Sequence, residues 1–177
     1  MPIASIPPSR RGVLCLITLL SLAGCGSTPR RRPTIAGVPD PGPSLDLSCV
    51  PYARQRSGID LRGDAWQWWT AAEGRYQRGQ RPARGSVLVI ARTRRLPSGH
   101  LAVVSRIVSP REIRVDHANW ANGSGRGRVA RDQPVLDVSP NNDWTAVRVW
   151  YPGAADYGNT VFASQGFIHP RLDFAGR

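Results

Sequence analysis

At 177 residues, the chain has room for one domain, taken at roughly 150 residues each, plus a targeting segment and a linker. It carries 24 basic residues, every one an arginine, against 12 acidic ones, for a net charge of +12, and its 41% hydrophobic content with six Trp excludes a wholly disordered chain. Its 18 Gly and 16 Pro follow no Gly-X-Y period, and no internal repeat is visible, so a collagen-like or repeat architecture is excluded as well. The arginines are spread from Arg10 to Arg177. No basic helix, helix-turn-helix or Cys/His finger accompanies them, so no specific nucleic-acid partner is expected, only a loose affinity for anionic polymers.

The N-terminus reads as an address. Arg10 and Arg11 precede the apolar run Val13–Leu22, the charged and apolar regions of a secretory signal, too short to span a bilayer. The run ends Leu22-Ala23-Gly24-Cys25. This resembles the lipobox of bacterial lipoproteins, in which the cysteine is acylated and becomes the first residue of the mature chain. The resemblance implies a signal peptide over 1–24 and a membrane anchor at Cys25, and Gly26 after that cysteine implies sorting to the outer membrane, facing the periplasm. Residues 25–44, with five prolines and Arg30-Arg31-Arg32, lack periodicity and read as a semi-rigid tether reaching at most about 60 Å. With Cys15 removed and Cys25 acylated, Cys49 is the remaining thiol in a disulfide-permissive compartment, either buried and inert or used.

From Leu45 to about residue 152 the pattern is that of a small α+β domain. A helix is expected over about Cys49–Gln55, with Asp46 or Ser48 as cap and Pro51 in its first turn. A second is expected over Asp64–Glu73, capped by Asp64 and stopped by Gly74. Strands follow at Gly85–Ile90, at His100–Val108 after a basic turn, and at Glu112–Trp120. Ala121–Gln133, holding Gly-Ser-Gly-Arg-Gly, is expected to be a loop, and no phosphate-binding Lys-Ser/Thr follows it. Val135–Val138 and Trp144–Trp150 give two more strands. Residues 153–177 are expected to form a C-terminal tail, with His169 structural.

Few residues can do chemistry. Cys49 falls at a helix start, where the dipole and free N–H groups favour thiolate. His100 opens the expected central strand and is the candidate base for that nucleophile. Strand alternation sets His117 and Asn119 on one face of the next strand, and Asp116 and Ala118 on the other. Of Trp66, Trp68 and Trp69, at least two are expected in the core. No metal or other cofactor is expected.

This order of pieces resembles the CHAP domain, the cysteine- and histidine-dependent amidohydrolase/peptidase family of papain-like fold. The resemblance is carried by Ser48-Cys49-Val50-Pro51-Tyr52-Ala53, by Gly63-Asp64-Ala65-Trp66-Gln67-Trp68-Trp69 and by Arg81-Pro82-Ala83-Arg84-Gly85-Ser86-Val87. It continues through Gly99-His100-Leu101-Ala102-Val103-Val104 and Val115-Asp116-His117-Ala118-Asn119-Trp120. It implies N-terminal helices packed on an antiparallel β-sheet, with Cys49 as nucleophile and His100 as base. The implied reaction is hydrolysis of amide bonds in peptidoglycan stem peptides, by an N-acetylmuramoyl-L-alanine amidase or an endopeptidase, through a thioester. Many members have Glu-x-Asn where this chain has His117-Ala118-Asn119, so the residue that orients His100 is left as Asn119 or His117. Asp116 faces away unless a bulge re-aims it. The alternative is a non-catalytic envelope lipoprotein that binds peptidoglycan or a protein partner. The sequence leaves the oligomeric state open.

Overall fold

The computed structural model describes residues 48–120, 126–151 and 154–171. The apolar run, Cys25 and the tether lie outside the described residues, as does the glycine-rich stretch at 121–125.

Helix α1 spans Cys49–Ser57. Pro51 is tolerated because first-turn amides have no intrahelical acceptor. The helix stops at Gly58, whose φ of 74° lets its N–H return to the Arg54 carbonyl, a left-handed turn glycine makes at little cost. The expected second helix is shorter than its sequence suggests: a 3-10 turn at Ala65–Gln67, then α2 at Trp68–Ala71. Gln67 Oε1 accepts the Asp64 N–H at 2.8 Å, holding the start tight. Trp68 is fully buried and Trp69 packs partly against the same cluster. Bulky aromatic residues sustain a regular helix weakly, and here tertiary burial sets the local shape.

The strands are β1 (Gln77–Gly79), β2 (Val87–Ile90), β3 (His100–Ser109), β4 (Glu112–Ala118), β5 (Val129–Asp137), β6 (Ala146–Tyr151), β7 (Asp156–Tyr157) and β8 (Phe162–His169). All pair antiparallel in the order β1-β8-β2-β3-β4-β5-β6-β7, and β8 also pairs with β6 through Ala146–Ala163 and Val147–Phe162. That second pairing closes β8-β2-β3-β4-β5-β6 into a six-stranded barrel. The antiparallel sheet matches expectation; its closure into a barrel does not, and the helical share is smaller than expected. Two readings of the chain are corrected. Residues 129–133, expected in a loop, belong to β5. The stretch read as a tail contributes β7 and β8, and β8 lies between β1 and β2.

Alternation sorts the core into two faces. Leu88, Ile90, Ala102, Val104, Ile113, Val115, Val135, Val147, Val149 and Phe167 form one buried cluster with Trp144, drawn from all six strands and therefore the barrel interior. Val87, Val89, Leu101 and Val103 point the other way and cluster with Ala53 of α1 and Trp68 of α2. β2 is buried at all four positions, which explains its unbroken apolar run.

Candidate active site

The start of β3 gathers three of the candidate residues, His100, His117 and Cys49. Gly99, with φ 67°, turns the chain into the strand, and a Cβ there would lie 2.8 Å from the Ile90 carbonyl oxygen and 3.0 Å from the Trp66 nitrogen. The turn is pinned by Trp66 N–H donating to the Ser98 carbonyl at 3.1 Å. His100 follows. Its parity with Ala102 and Val104 sends its side chain to the barrel interior, where it is 1% exposed.

His117, of the same parity as Ile113 and Val115 on β4, comes to meet it. His100 Nε2 and His117 Nδ1 are 3.1 Å apart. The rings stand edge-on, with centroids 5.1 Å apart. Trp120 covers both, 4.7 Å from His100 and stacked 5.6 Å from His117. Burial drives the His100 pKa well below its ordinary value, and the neighbouring His117 pushes it the same way. Burial also lowers His117, to about 4, against a partial upward pull from Asp116. Two buried histidines that cannot both charge are neutral at physiological pH.

Cys49 approaches from the other face of the sheet, at the first position of α1, half-buried against the cluster that contains Leu101. Burial raises its thiol pKa above the ordinary 9.0, and the backbone N–H of Leu101, then those of Cys49 and Val50, partly offset this. The sulfur is thus held at the residue next to His100. Among the described residues the His100 ring makes one hydrogen bond, to His117, and none to Cys49. With the thiol raised and the imidazole lowered, the resting pair is neutral; the thiolate expected from the helix start is outweighed by desolvation.

The two candidates for orienting His100 occupy different places. Asn119 does not reach His100: β4 ends at Ala118, and Asn119 takes a φ of 60°. Alternation does not extend through a left-handed residue, so the side chain swings out, and its Oδ1 accepts the Gly127 N–H at 2.9 Å. Asp116 faces α1 as its parity requires. Its Oδ2 accepts Arg56 Nε at 3.1 Å and its Oδ1 accepts the Asp132 N–H at 2.9 Å. His169 lies at the end of β8, where partial burial lowers its pKa, and takes no part in the pair. Trp66 is half-buried beneath Arg92, whose guanidinium stands 4.5 Å from the ring centroid. Trp120 is the site residue that sequence reasoning gave no role; its position just past a strand end hides which way its ring turns.

Beside Trp120 the barrel end opens into a cavity of about 590 Å³. The described residues contain no group of His, Cys, Asp and Glu arranged to hold a metal ion. No helix among them is long and apolar enough to cross a membrane.

No curated protein matches this chain. Residues 40–119 match the family model described as the CHAP domain, a span that runs from ahead of α1 to the end of β4 and takes in Cys49, His100 and His117. Over that span the chain is similar to the CHAP domain, a family that is generally hydrolytic, of amidase and peptidase type.

Proposed function

We propose that this protein is a cysteine-dependent peptidoglycan hydrolase, an N-acetylmuramoyl-L-alanine amidase or an endopeptidase. The observation that carries this is the convergence of Cys49 and His100 on the start of β3, with the sulfur beside the Leu101 amide and the imidazole coupled to His117 at 3.1 Å. The packing of Ala53 with Leu101 and Val103 supports a papain-like arrangement, the Cys helix laid on the sheet.

On substrate binding the Cys49 proton passes to His100 Nδ1, across one water or after rotation of the ring, as resting sites often tighten only in the complex. Sγ bonds to the amide carbon, and the first-turn N–H groups of Cys49 and Val50, which have no intrahelical acceptor, turn to the oxyanion; Pro51 has none to offer. The C–N bond breaks as His100 protonates the leaving amine. Water then attacks the thioester, His100 takes its proton, and the carboxylate leaves as the thiol reforms. For Nδ1 to accept, Nε2 must carry the proton and donate it to His117 Nδ1. His117 is therefore a positioning residue that fixes the tautomer of His100.

The reading includes the N-terminus: a signal peptide over 1–24, acylation of Cys25, a tether over 25–44 and a catalytic domain from residue 45, anchored to the outer membrane and facing the periplasm. Muropeptide mass spectrometry of isolated sacculi tests the chemistry. Wild type should release fragments and Cys49→Ala should release none. Cys25→Ser should leave the membrane fraction, and its retention there after a high-salt wash would refute the anchor.

A second reading, a non-catalytic protein that binds the wall or a partner, draws on the missing Cys49–His100 hydrogen bond and the neutral resting pair. Unchanged sacculi in the wild-type digestion would select it.

A further inference from the structure

We infer that the cavity at the barrel end is a subsite for the acidic, sugar-bearing part of the substrate, a muramoyl-peptide whose carboxylates are read by Arg94 and Arg95. The inference rests on the peptidoglycan reading above and gives that substrate a place on the molecule.

Size comes first. About 590 Å³ lies within the range of sites that enclose a small ligand, roughly 300–1,000 Å³. The walls are chemically divided. Trp120, Tyr151 and Phe162 supply aromatic surface, with Trp120 and Phe162 edge-on at 5.2 Å. Flat aromatic faces of this kind suit the C–H face of a sugar ring. Arg94 and Arg95 supply the charge. Both are exposed, and no carboxylate pairs with either among the described residues, although Arg56, Arg78, Arg106, Arg111 and Arg114 each have one. Among the described residues, none that lines the cavity is acidic. Two unpaired guanidiniums over an aromatic floor favour an anion with an apolar body, and guanidinium binds carboxylate in a fork.

Position ties the cavity to the chemistry. Trp120 lines it and also contacts His100 and His117, so a ligand seated there lies one aromatic ring from the base. Arg94 and Arg95 belong to the turn between β2 and β3, the turn that delivers His100.

The test uses the full chain carrying Cys49→Ala, so that ligand is not consumed, titrated with purified disaccharide-tetrapeptide and followed by tryptophan fluorescence or calorimetry. Adding Arg94→Gln and Arg95→Gln together should raise the Kd about tenfold, the scale of losing two partly exposed charge-assisted contacts. The same fragment with its carboxylates amidated should bind both proteins equally and about tenfold more weakly. Tyr151→Ala should weaken binding of the disaccharide-tetrapeptide more than that of the sugar-free tetrapeptide. Equal affinity of the double variant and its parent, full-strength binding of the amidated fragment, or no measurable binding of the acidic fragment each overturns the inference. Hydrolysis by the Cys49 protein is scored separately, so a binding site without catalysis is distinguishable from catalysis without this subsite.

Discussion

His100 and His117 share one hydrogen bond inside the barrel, Nε2 to Nδ1 at 3.1 Å, so the proposed base is paired with a second imidazole and not with a carboxylate. An uncharged acceptor fixes the His100 tautomer but does little to stabilise the imidazolium that forms during catalysis. His117→Glu should therefore raise the His100 pKa and shift the acid limb of hydrolysis to higher pH. It should also speed alkylation of Cys49 by iodoacetamide near neutral pH. An unmoved acid limb in a variant that retains its circular dichroism and melting temperature would show that His117 does not act on His100.

The same pair should make the fold acid-sensitive. His117 is held at about 4 against an ordinary 6.5, and His100 is displaced the same way. A depressed histidine favours the folded state when neutral, so that contribution is complete above pH 6.5 and is lost as pH falls through about 4. For His117 alone this amounts to about 3 kcal/mol. Urea denaturation at pH 7 and pH 4 should show the difference, and His117→Gln should flatten it. Equal midpoints at both pH values would contradict the buried neutral pair.

Asn119 and His117 should separate cleanly. Asn119→Ala loses the bond to the Gly127 N–H and places a Cβ-bearing residue without a polar side chain at φ 60°, costing about 1–2 kcal/mol of stability. Its turnover and pH profile should match wild type. His117→Ala should lower turnover, with the larger effect on kcat. The reverse order would return the orienting role to Asn119.

Gly99→Ala tests the turn that aims His100. The added carbon would meet backbone at Ile90 and Trp66, and the left-handed φ adds strain; together these cost roughly 1–3 kcal/mol. Activity should fall more than stability accounts for, because relief of the clash moves the start of β3. A stable and fully active variant would mean that the base tolerates displacement.

Much of this was legible along the chain. Pro51 marked the first turn of α1, and parity alone put Asp116 and His117 on opposite sides of β4. What escaped had physical reasons. Alternation was carried one step too far, to Asn119, because nothing local announces that a strand ends in a left-handed residue. The glycine-rich run ahead of Arg128 made everything up to Gln133 read as loop, although Ala130 and Gln133 are buried; Arg131 and Asp132 are both exposed where the register shifts and Asp132 takes a φ of 51°. β8 was missed because Ser-Gln-Gly interrupts its apolar pattern, and the Gly166 at its centre is required by φ 116° and by the closeness of the Gly79 carbonyl oxygen, 2.7 Å from where a Cβ would stand. The length of α2 was misjudged because burial of Trp68 overrode its local sequence.

The seam of the barrel sets an order on folding. From β3 to β6 each strand pairs with the one before it, so this meander can assemble from contacts between neighbours as the chain grows. Of its two outer strands, β2 stays bare and β6 is covered only at its end, by β7, until residues 162–169 arrive, because β8 pairs with both. The Val87–Ile168 contact spans much of the domain, and closing so long a loop is slow. A nascent or truncated chain lacking β8 would expose two unpaired edges and the apolar interior between them, the features that template strand-to-strand aggregation. The covering of both edges thus turns on the last described strand, far along the chain from Cys49, His100 and His117.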